Sequence, residues 1–170
     1  SSVLVDCGLF QGLKALRLRN WEPLGVALDS IDAVVVTHAH IDHIGYLPRL
    51  VRSGFRGPIY ATEATIDLAE IMLADAAHLQ EEDAEYANRK GFSKHTPALP
   101  LFDTEDARAT QKLFRALPLH QKVELGPGLS VRLRNAGHIL GSATVELAIG
   151  GTALLVLLLR RQVGLGHALH

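Results

Sequence analysis

Cysteine is almost absent from this sequence, which contains a single one, Cys7, in 170 residues. One cysteine cannot form a disulfide within the chain, so the class of small disulfide-rich secreted proteins is excluded. No neighbouring residue in the sequence indicates a lowered thiol pKa, so we expect Cys7 to be a small buried residue rather than a nucleophile or a metal ligand. The predicted location is therefore a reducing, cytoplasmic compartment.

Long hydrophobic runs are also missing. The longest, residues 153–159, is far shorter than the roughly 20 apolar residues that span a bilayer, so we expect no membrane partner. The formal net charge of −1 neither requires nor excludes a polyanionic partner. With 170 residues and 48% hydrophobic content, the chain is long enough to bury the core of one domain.

The sequence does contain a dense group of metal-ligand residue types. His38, His40, Asp42 and His43 directly follow the apolar run of residues 33–37. Imidazole and carboxylate are ligands that zinc and similar first-row cations prefer, and one ion needs several of them. In an extended segment residues two apart point the same way, so His38 and His40 can share one ion. Asp42 and His43 fall on the following turn and can face a second ion, so the spacing favours a binuclear site.

Two residues outside this group are predicted to belong to the same site. His138 lies in a loop between Gly137 and Gly141, where glycine lets the backbone approach an ion closely. Alone, such a histidine is more often a hydrogen-bonded turn residue, but beside the cluster it is the natural fifth ligand. Asp6 ends the first predicted strand, where its carboxylate can orient a ligating imidazole through the second ring nitrogen. A turn-forming role for Asp6 is the alternative.

Apolar periodicity and turn residues predict the order of helices and strands. Strands are predicted over residues 3–6, 33–37, 58–61, 119–124, 129–134, 142–149 and 152–158. Helices are predicted over residues 13–19, 44–52, 62–90 and 104–117, with Thr62 and Thr104 as caps of the last two. The apolar stripe of the third helix, which runs as far as Leu79, is expected to face the core. This alternation predicts a layered α/β domain.

Four segments resemble the β-CASP branch of the metallo-β-lactamase superfamily, which contains RNA-processing nucleases akin to the nuclease subunit of the cleavage and polyadenylation specificity factor. The segments are LVDCGLFQG (residues 4–12), THAHIDHIG (37–45), GPIYAT (57–62) and AGHILGSA (136–143). The second contains the superfamily signature His-x-His-x-Asp-His, which hydrolases of thioesters, lactams and phosphodiesters share. The combination of all four is more specific, and it points to RNA.

The resemblance implies a partial αββα sandwich, in which mixed β-sheets are flanked by helices. It also implies that His38, His40 and His138 hold one zinc ion and that Asp42 and His43 hold a second. RNA is the implied partner. A hydroxide between the two ions would attack phosphorus, so no side-chain nucleophile is needed.

The chain departs from the family pattern near its end. A bridging aspartate is expected in a Ser-Gly-Asp segment after the last strand, but Arg160 and Arg161 occupy that position, and their charge would oppose metal binding. We therefore interpret residues 1–158 as an incomplete metallo-β-lactamase-like domain and residues 159–170 as a non-matching tail. A shifted reading frame in the gene would explain this tail. A fragment without the bridging aspartate is expected to have little or no activity.

By this resemblance, the predicted function is zinc-dependent hydrolysis of RNA phosphodiester bonds, as an exonuclease or an endonuclease. Two alternatives stay open. One is a hydrolase of a small ester or thioester, and the other is a non-catalytic metal-binding scaffold in an RNA-processing assembly.

Overall fold

The computed structural model describes residues 2–93, 95–156 and 167–169. The strands are β1 (Val3–Val5), β2 (Ala33–Val35), β3 (Ile59–Ala61), β4 (Phe114–Ala116), β5 (Lys122–Gly126), β6 (Leu129–Asn135), β7 (Ala143–Ile149), β8 (Thr152–Val156) and β9 (His167–Leu169). The α-helices are α1 (Lys14–Leu18), α2 (Ile41–Ile44), α3 (Leu47–Arg52), α4 (Glu63–Lys90) and α5 (Thr104–Gln111). Short 3-10 helices cover Arg19–Trp21 and Leu28–Ser30.

The strands form two sheets. In the first, β1 to β4 run parallel in the order β4-β3-β2-β1, and β9 pairs antiparallel with β1. The second is an antiparallel meander of β5, β6, β7 and β8. Consecutive apolar residues such as Val34 and Val35 suit the parallel sheet, because both of its faces are covered.

Side-chain alternation along the first sheet divides the core in two. Leu4 and Val34 point to a cluster that lies under the helices. Val5 and Val35, the next residues on the same strands, point to a second cluster shared with the antiparallel sheet. The described residues therefore form a helix layer and two sheet layers. This is an α/β architecture and part of the expected αββα sandwich.

The predicted helix over residues 104–117 has the right first residue but the wrong cap and the wrong end. Asp103, not Thr104, is the cap: its carboxylate accepts a hydrogen bond from the Asp106 amide, and the Asp106 carboxylate accepts one from the Asp103 amide. This capping box fixes the start of α5. The helix ends at Gln111, and Phe114–Ala116 instead pairs with β3 at the edge of the first sheet.

Two further helix predictions need correction. The helix expected over residues 44–52 is two helices, α2 and α3, with Pro48 in the first turn of α3, where its missing N–H costs nothing. Leu79 on α4 is 53% exposed rather than core-facing, because the buried line of this helix runs through Ala69, Leu73 and Ala77. The start of α4 is as predicted: the Thr62 hydroxyl accepts a hydrogen bond from the Thr65 amide.

Among the described residues, no helix combines the length and apolar character needed to span a membrane.

Candidate metal centre

Three imidazoles converge where β2 ends. His38 and His40 follow β2, and His138 comes from the loop between β6 and β7. The Nε2 atom of His38 lies 3.0 Å from Nδ1 of His40, and Nε2 of His138 lies 3.3 Å from the same atom. These residues form the group of three in which the potential ligand atoms all lie within 4.8 Å of one another. The structure thus brings together His38, His40 and His138 as the sequence analysis expects.

The spacing of these nitrogens matches what a small divalent cation requires. In tetrahedral zinc sites the Zn–N distance is about 2.0–2.1 Å, which separates two ligand nitrogens by about 3.3 Å. The observed separations of 3.0 and 3.3 Å are close to this value. The residues present therefore fit a divalent cation held by three imidazole nitrogens.

A hydrogen-bond chain assigns the tautomer of His38. The Thr37 hydroxyl has one proton and lies 2.8 Å from Oδ2 of Asp6, which can only accept when ionised. Because that proton goes to Asp6, the Nδ1–H of His38 must donate to the Thr37 oxygen, 2.9 Å away. Nε2 of His38 then carries the lone pair and faces the other imidazoles. The arrangement prepares His38 as a ligand through Nε2.

The Asp6 carboxylate also holds His43. Its Oδ2 atom lies 2.7 Å from Nδ1 of His43, so Asp6 contacts an imidazole of the cluster through a ring nitrogen. Burial lowers the pKa of His43, but the hydrogen bond and the charge of Asp6, together with the charge of Asp42, outweigh it and raise the pKa overall. Asp6 has a φ of 59°, a left-handed conformation that few non-glycine residues adopt. This turn points its carboxylate back towards the site.

His38 has the opposite electrostatic environment. Burial, followed by the neighbouring imidazoles of His43, His40 and His138, lowers its pKa to about 3. A neutral imidazole is the form that binds a metal, so His38 does not have to lose a proton near neutral pH.

The loop that carries His138 is held at both ends. The Ser142 hydroxyl accepts hydrogen bonds from the amides of His138 and Ile139, at 3.0 and 3.1 Å. The hydroxyls of Thr62 and Thr65, at the start of α4, lie 2.7 and 2.9 Å from the Gly141 carbonyl. The first turn of α4 therefore positions the loop on which His138 depends.

Close backbone approach positions the other end of the site. The Cys7 amide donates to the His43 carbonyl at 2.7 Å, and the Leu9 amide donates to the Ile41 carbonyl at 3.1 Å. A Cβ atom on Gly8 would overlap the Asp42 carbonyl, so only glycine fits between these contacts. Cys7 itself is fully buried, as expected, and burial followed by the charge of Asp6 raises its thiol pKa.

Asp42 and His43 lie beside the three-histidine group. Nε2 of His43 is 3.8 Å from Oδ2 of Asp42, and the rings of His43 and His38 are 4.0 Å apart. Among the described residues, no third potential ligand forms with Asp42 and His43 a group as compact as that of the three histidines. The segment where the bridging aspartate was expected lies outside the described residues. The second ion therefore stays a prediction.

Sequence reasoning missed the residues that support the ligands, namely Thr37, Thr62, Thr65 and Ser142. Thr37 directly precedes His38, and this adjacency was the available signal. Ser142 acts within the loop of His138, because its hydroxyl accepts from amides three and four positions earlier in the chain. Thr62 and Thr65 show their role only when α4 and the β6–β7 loop meet in space. Their contacts join residues that are distant in the chain, as in the pairing of Thr65 with Gly141.

Several known proteins are similar to this chain in sequence. Residues 1–130 match the family described as "Metallo-beta-lactamase superfamily". The chain is 41% identical over 143 residues to "Ribonuclease TTHA0252" of Thermus thermophilus, a match that covers 84% of this chain and 28% of the relative. It is 36% identical over 154 residues to "Transcription termination factor FttA" of Cenarchaeum symbiosum, covering 88% of this chain and 22% of the relative.

Among solved structures, a similar one is a HARLDQ-motif mutant of a metallo-beta-lactamase from Cronobacter sakazakii. The TM-score is 0.48 with 22% identity, and the match covers 90% of this chain and 51% of the other. The chain spans about a quarter of the length of the curated relatives described above.

Proposed function

Because the chain belongs to the metallo-beta-lactamase superfamily, we propose that it is part of the catalytic domain of a zinc-dependent hydrolase of RNA phosphodiester bonds, within the β-CASP branch. The observation that carries this proposal is the convergence of nitrogens from His38, His40 and His138. His38 and His138 are 100 positions apart in the sequence. The names of the two relatives, a ribonuclease and a transcription termination factor, support RNA as the substrate. A cytoplasmic location belongs to the same proposal and is supported by the lone, buried cysteine.

The residues of the chain have distinct roles in this proposal. His38, His40 and His138 hold a zinc ion, while Asp6 and Thr37 fix the orientation of the imidazoles. A bound cation would supply an acidified water and neutralise charge on the phosphate. His38 is buried whereas His138 is exposed, so the site opens towards solvent on the His138 side, where a polymer can approach. Asp42 and His43 are the proposed ligands of a second ion.

Metal analysis after equilibrium dialysis tests the ligand set. We expect about one tightly bound zinc ion per chain, because three imidazoles are already assembled. His38→Ala combined with His40→Ala should abolish this binding. The matched control is His78→Ala combined with His95→Ala, which removes two exposed histidines outside the group. Equal zinc content in both double variants would contradict the proposed ligands.

A substrate panel tests the reaction. Given zinc, the chain is expected to show little or no cleavage of RNA, because Asp42 and His43 lack a further ligand among the described residues. Robust RNA cleavage that disappears in the His38→Ala, His40→Ala variant would contradict the expected inactivity of this chain. The same result would support RNA hydrolysis as the reaction of the site. Cleavage that persists in that variant would indicate a contaminant. A preference for a small thioester over RNA would favour the alternative hydrolase.

A chain extended to the length of the curated relatives gives the decisive measurement for RNA hydrolysis. We expect it to cleave RNA and to lose that activity on His38→Ala substitution. If it binds zinc but cleaves neither RNA nor esters, the scaffold alternative replaces the proposed reaction.

A further inference from the structure

Residues 10–21 form a loop that is closed at its base. The Asn20 side chain accepts a hydrogen bond from the Phe10 amide at 2.9 Å and donates one to the Phe10 carbonyl at 3.0 Å. Asn20 is buried, so these bonds are protected from water. Compact loops whose ends lie close together are often functional.

The loop displays its apolar side chains to solvent. Leu13 is 74% exposed, Leu18 is 56% exposed and Trp21 is 51% exposed. Within the described chain, α1 contributes no buried side chain, although short helices usually form because one face packs on a core. Apolar side chains exposed on a loop that is closed by hydrogen bonds at its base indicate a binding surface.

The same loop is positively charged. Lys14, Arg17 and Arg19 are exposed, and the sequence has no acidic residue between Asp6 and Glu22. The Arg19 guanidinium lies 4.5 Å from the centre of the Phe10 ring, a cation–π contact that fixes one of these charges in place. A nucleic acid strand complements cations beside an exposed indole, because it offers both negative charge and flat apolar faces.

A cavity of about 230 Å³ continues the surface beside Trp21. It lies against α3 and is lined by Trp21, Glu22, Leu24, Val26, Tyr46 and Arg49. Its volume is below the roughly 300–1,000 Å³ of pockets for drug-sized ligands, which suits a single base. The indole offers a stacking face, Arg49 a cation, and Glu22 an acceptor for a base amino group.

We propose that the loop of residues 10–21 and this cavity bind single-stranded nucleic acid, with one base against Trp21 and phosphates against Lys14, Arg17 and Arg19. Phosphates pair with the cations and bases stack on aromatic side chains, the two features that single-strand binding combines. The Leu9 amide, next to the loop, donates to the Ile41 carbonyl, so the surface adjoins the segment that carries Asp42 and His43. Only the choice of RNA as the natural strand rests on the proposed function.

Trp21 is the single tryptophan of the chain, so tryptophan fluorescence, excited selectively over that of the three tyrosines, reports on this surface alone. The probe is a short single-stranded oligo(A) RNA, titrated in EDTA so that no metal is bound. We expect the RNA to quench the fluorescence. The combined Lys14→Gln, Arg17→Gln, Arg19→Gln variant should bind at least roughly tenfold more weakly, and the slope of log K against log salt should fall by about 2, since each single-strand phosphate contact contributes about 0.7.

A charge-matched variant distinguishes this surface from general attraction to a polyanion. Arg89→Gln, Lys90→Gln, Lys112→Gln removes the same charge at the ends of α4 and α5, and it should bind as the unaltered chain does. If the Lys14→Gln, Arg17→Gln, Arg19→Gln variant fails to fold, Trp21→Ala provides a second variant. Its affinity for RNA is measured by the fluorescence anisotropy of labelled RNA and should be lower than that of the unaltered chain.

The His38→Ala, His40→Ala variant separates this proposal from the proposed hydrolase. It should bind the oligonucleotide with unchanged affinity, because the surface does not use the metal ligands. Three results would overturn the proposal. The first is no change in Trp21 fluorescence when RNA is added, and the second is an equal loss of RNA affinity in both charge variants. The third is quenching of Trp21 by anionic vesicles when RNA causes none.

Discussion

The Asp6 carboxylate accepts hydrogen bonds from the backbone amide and the hydroxyl of Thr37, at 2.7 and 2.8 Å. Through Thr37 it sets the tautomer of His38, and directly it holds His43 at 2.7 Å. The Thr37 carbonyl in turn accepts from the Ala143 amide at 2.8 Å, at the start of β7. Thr37 therefore ties the end of the parallel sheet to the antiparallel sheet at the position where the imidazoles meet.

Replacing Thr37 by valine should weaken zinc binding. The change leaves Nδ1 of His38 without its acceptor, so the ring is no longer held with Nε2 towards the cation. Loss of such a supporting contact typically lowers metal affinity by about 10- to 100-fold. Competition with a chromophoric chelator measures the affinity, and ¹⁵N NMR of the imidazole side chains reports the tautomer. Thr37→Ser keeps the hydroxyl and should restore both readouts; if serine behaves like valine, the hydroxyl is not the cause.

Gly141→Ala should displace the loop that carries His138. Gly141 has a φ of 77°, and a Cβ atom there would lie 2.5 Å from the Thr65 amide nitrogen. Gly137, in the same loop, also has a positive φ of 65°, but a Cβ atom would meet no described residue within 4 Å. Both alanine variants carry about 1 kcal/mol of left-handed strain, and only Gly141→Ala adds a steric overlap. Zinc titration should show a much weaker site for Gly141→Ala than for Gly137→Ala, whereas equal affinities would contradict this prediction.

Gly8→Ala should destabilise the fold as a whole. The added methyl group would overlap the Asp42 carbonyl, and both segments are held by backbone hydrogen bonds, so neither can move freely. Overpacking of this kind typically costs roughly 1–3 kcal/mol, and we expect the upper end because the overlap is with backbone. Urea denaturation gives the free energy of unfolding. Gly25→Ala, where a Cβ atom has open space among the described residues, is the matched control and should be nearly neutral.

The ligands at residues 38–43 could be predicted because they follow one another within a few residues of the sequence. His38 and His40 follow an apolar strand, so their direction depends on a two-residue period alone. His138 was assigned as a ligand because the cluster at residues 38–43 calls for a further one, and the glycines beside His138 allow a close approach. The strand order and the supporting threonines depend instead on contacts between distant segments, such as Thr65 with Gly141, which no local pattern contains.

The errors in the secondary structure have the same origin. Phe114–Ala116 continues a helical pattern in the sequence, but pairing with β3 gives it backbone hydrogen bonds in the sheet, and this tertiary gain decides its conformation. Leu79 follows the apolar period of α4, but the buried line of the helix passes through Ala77 instead. Periodicity identified the helix correctly but not every residue of its buried face.

The thiol of Cys7 should be unreactive in the folded protein. Burial, followed by the negative charge of Asp6, raises its pKa, so the thiolate that reacts with disulfide reagents is scarce at neutral pH. With Ellman's reagent, we expect no fast reaction in buffer and one thiol per chain in denaturant, in agreement with the single cysteine. Rapid labelling of the native chain, with its far-ultraviolet circular dichroism unchanged, would contradict the buried position.

The pairing of His43 with Asp6 should make the stability of the metal-free chain depend on pH. The pKa of His43 is raised from 6.5 in the folded chain, so the pair contributes fully below the unfolded pKa, and its contribution is lost as the pH rises through the folded value. His43→Gln and Asp6→Asn both remove the pair. In EDTA, the loss of unfolding free energy caused by either variant should therefore be larger at about pH 5.5 than at about pH 8.5, as measured by urea denaturation. A loss that is constant with pH, or that grows towards alkaline pH, would show that the protonated imidazole does not contribute to stability through Asp6.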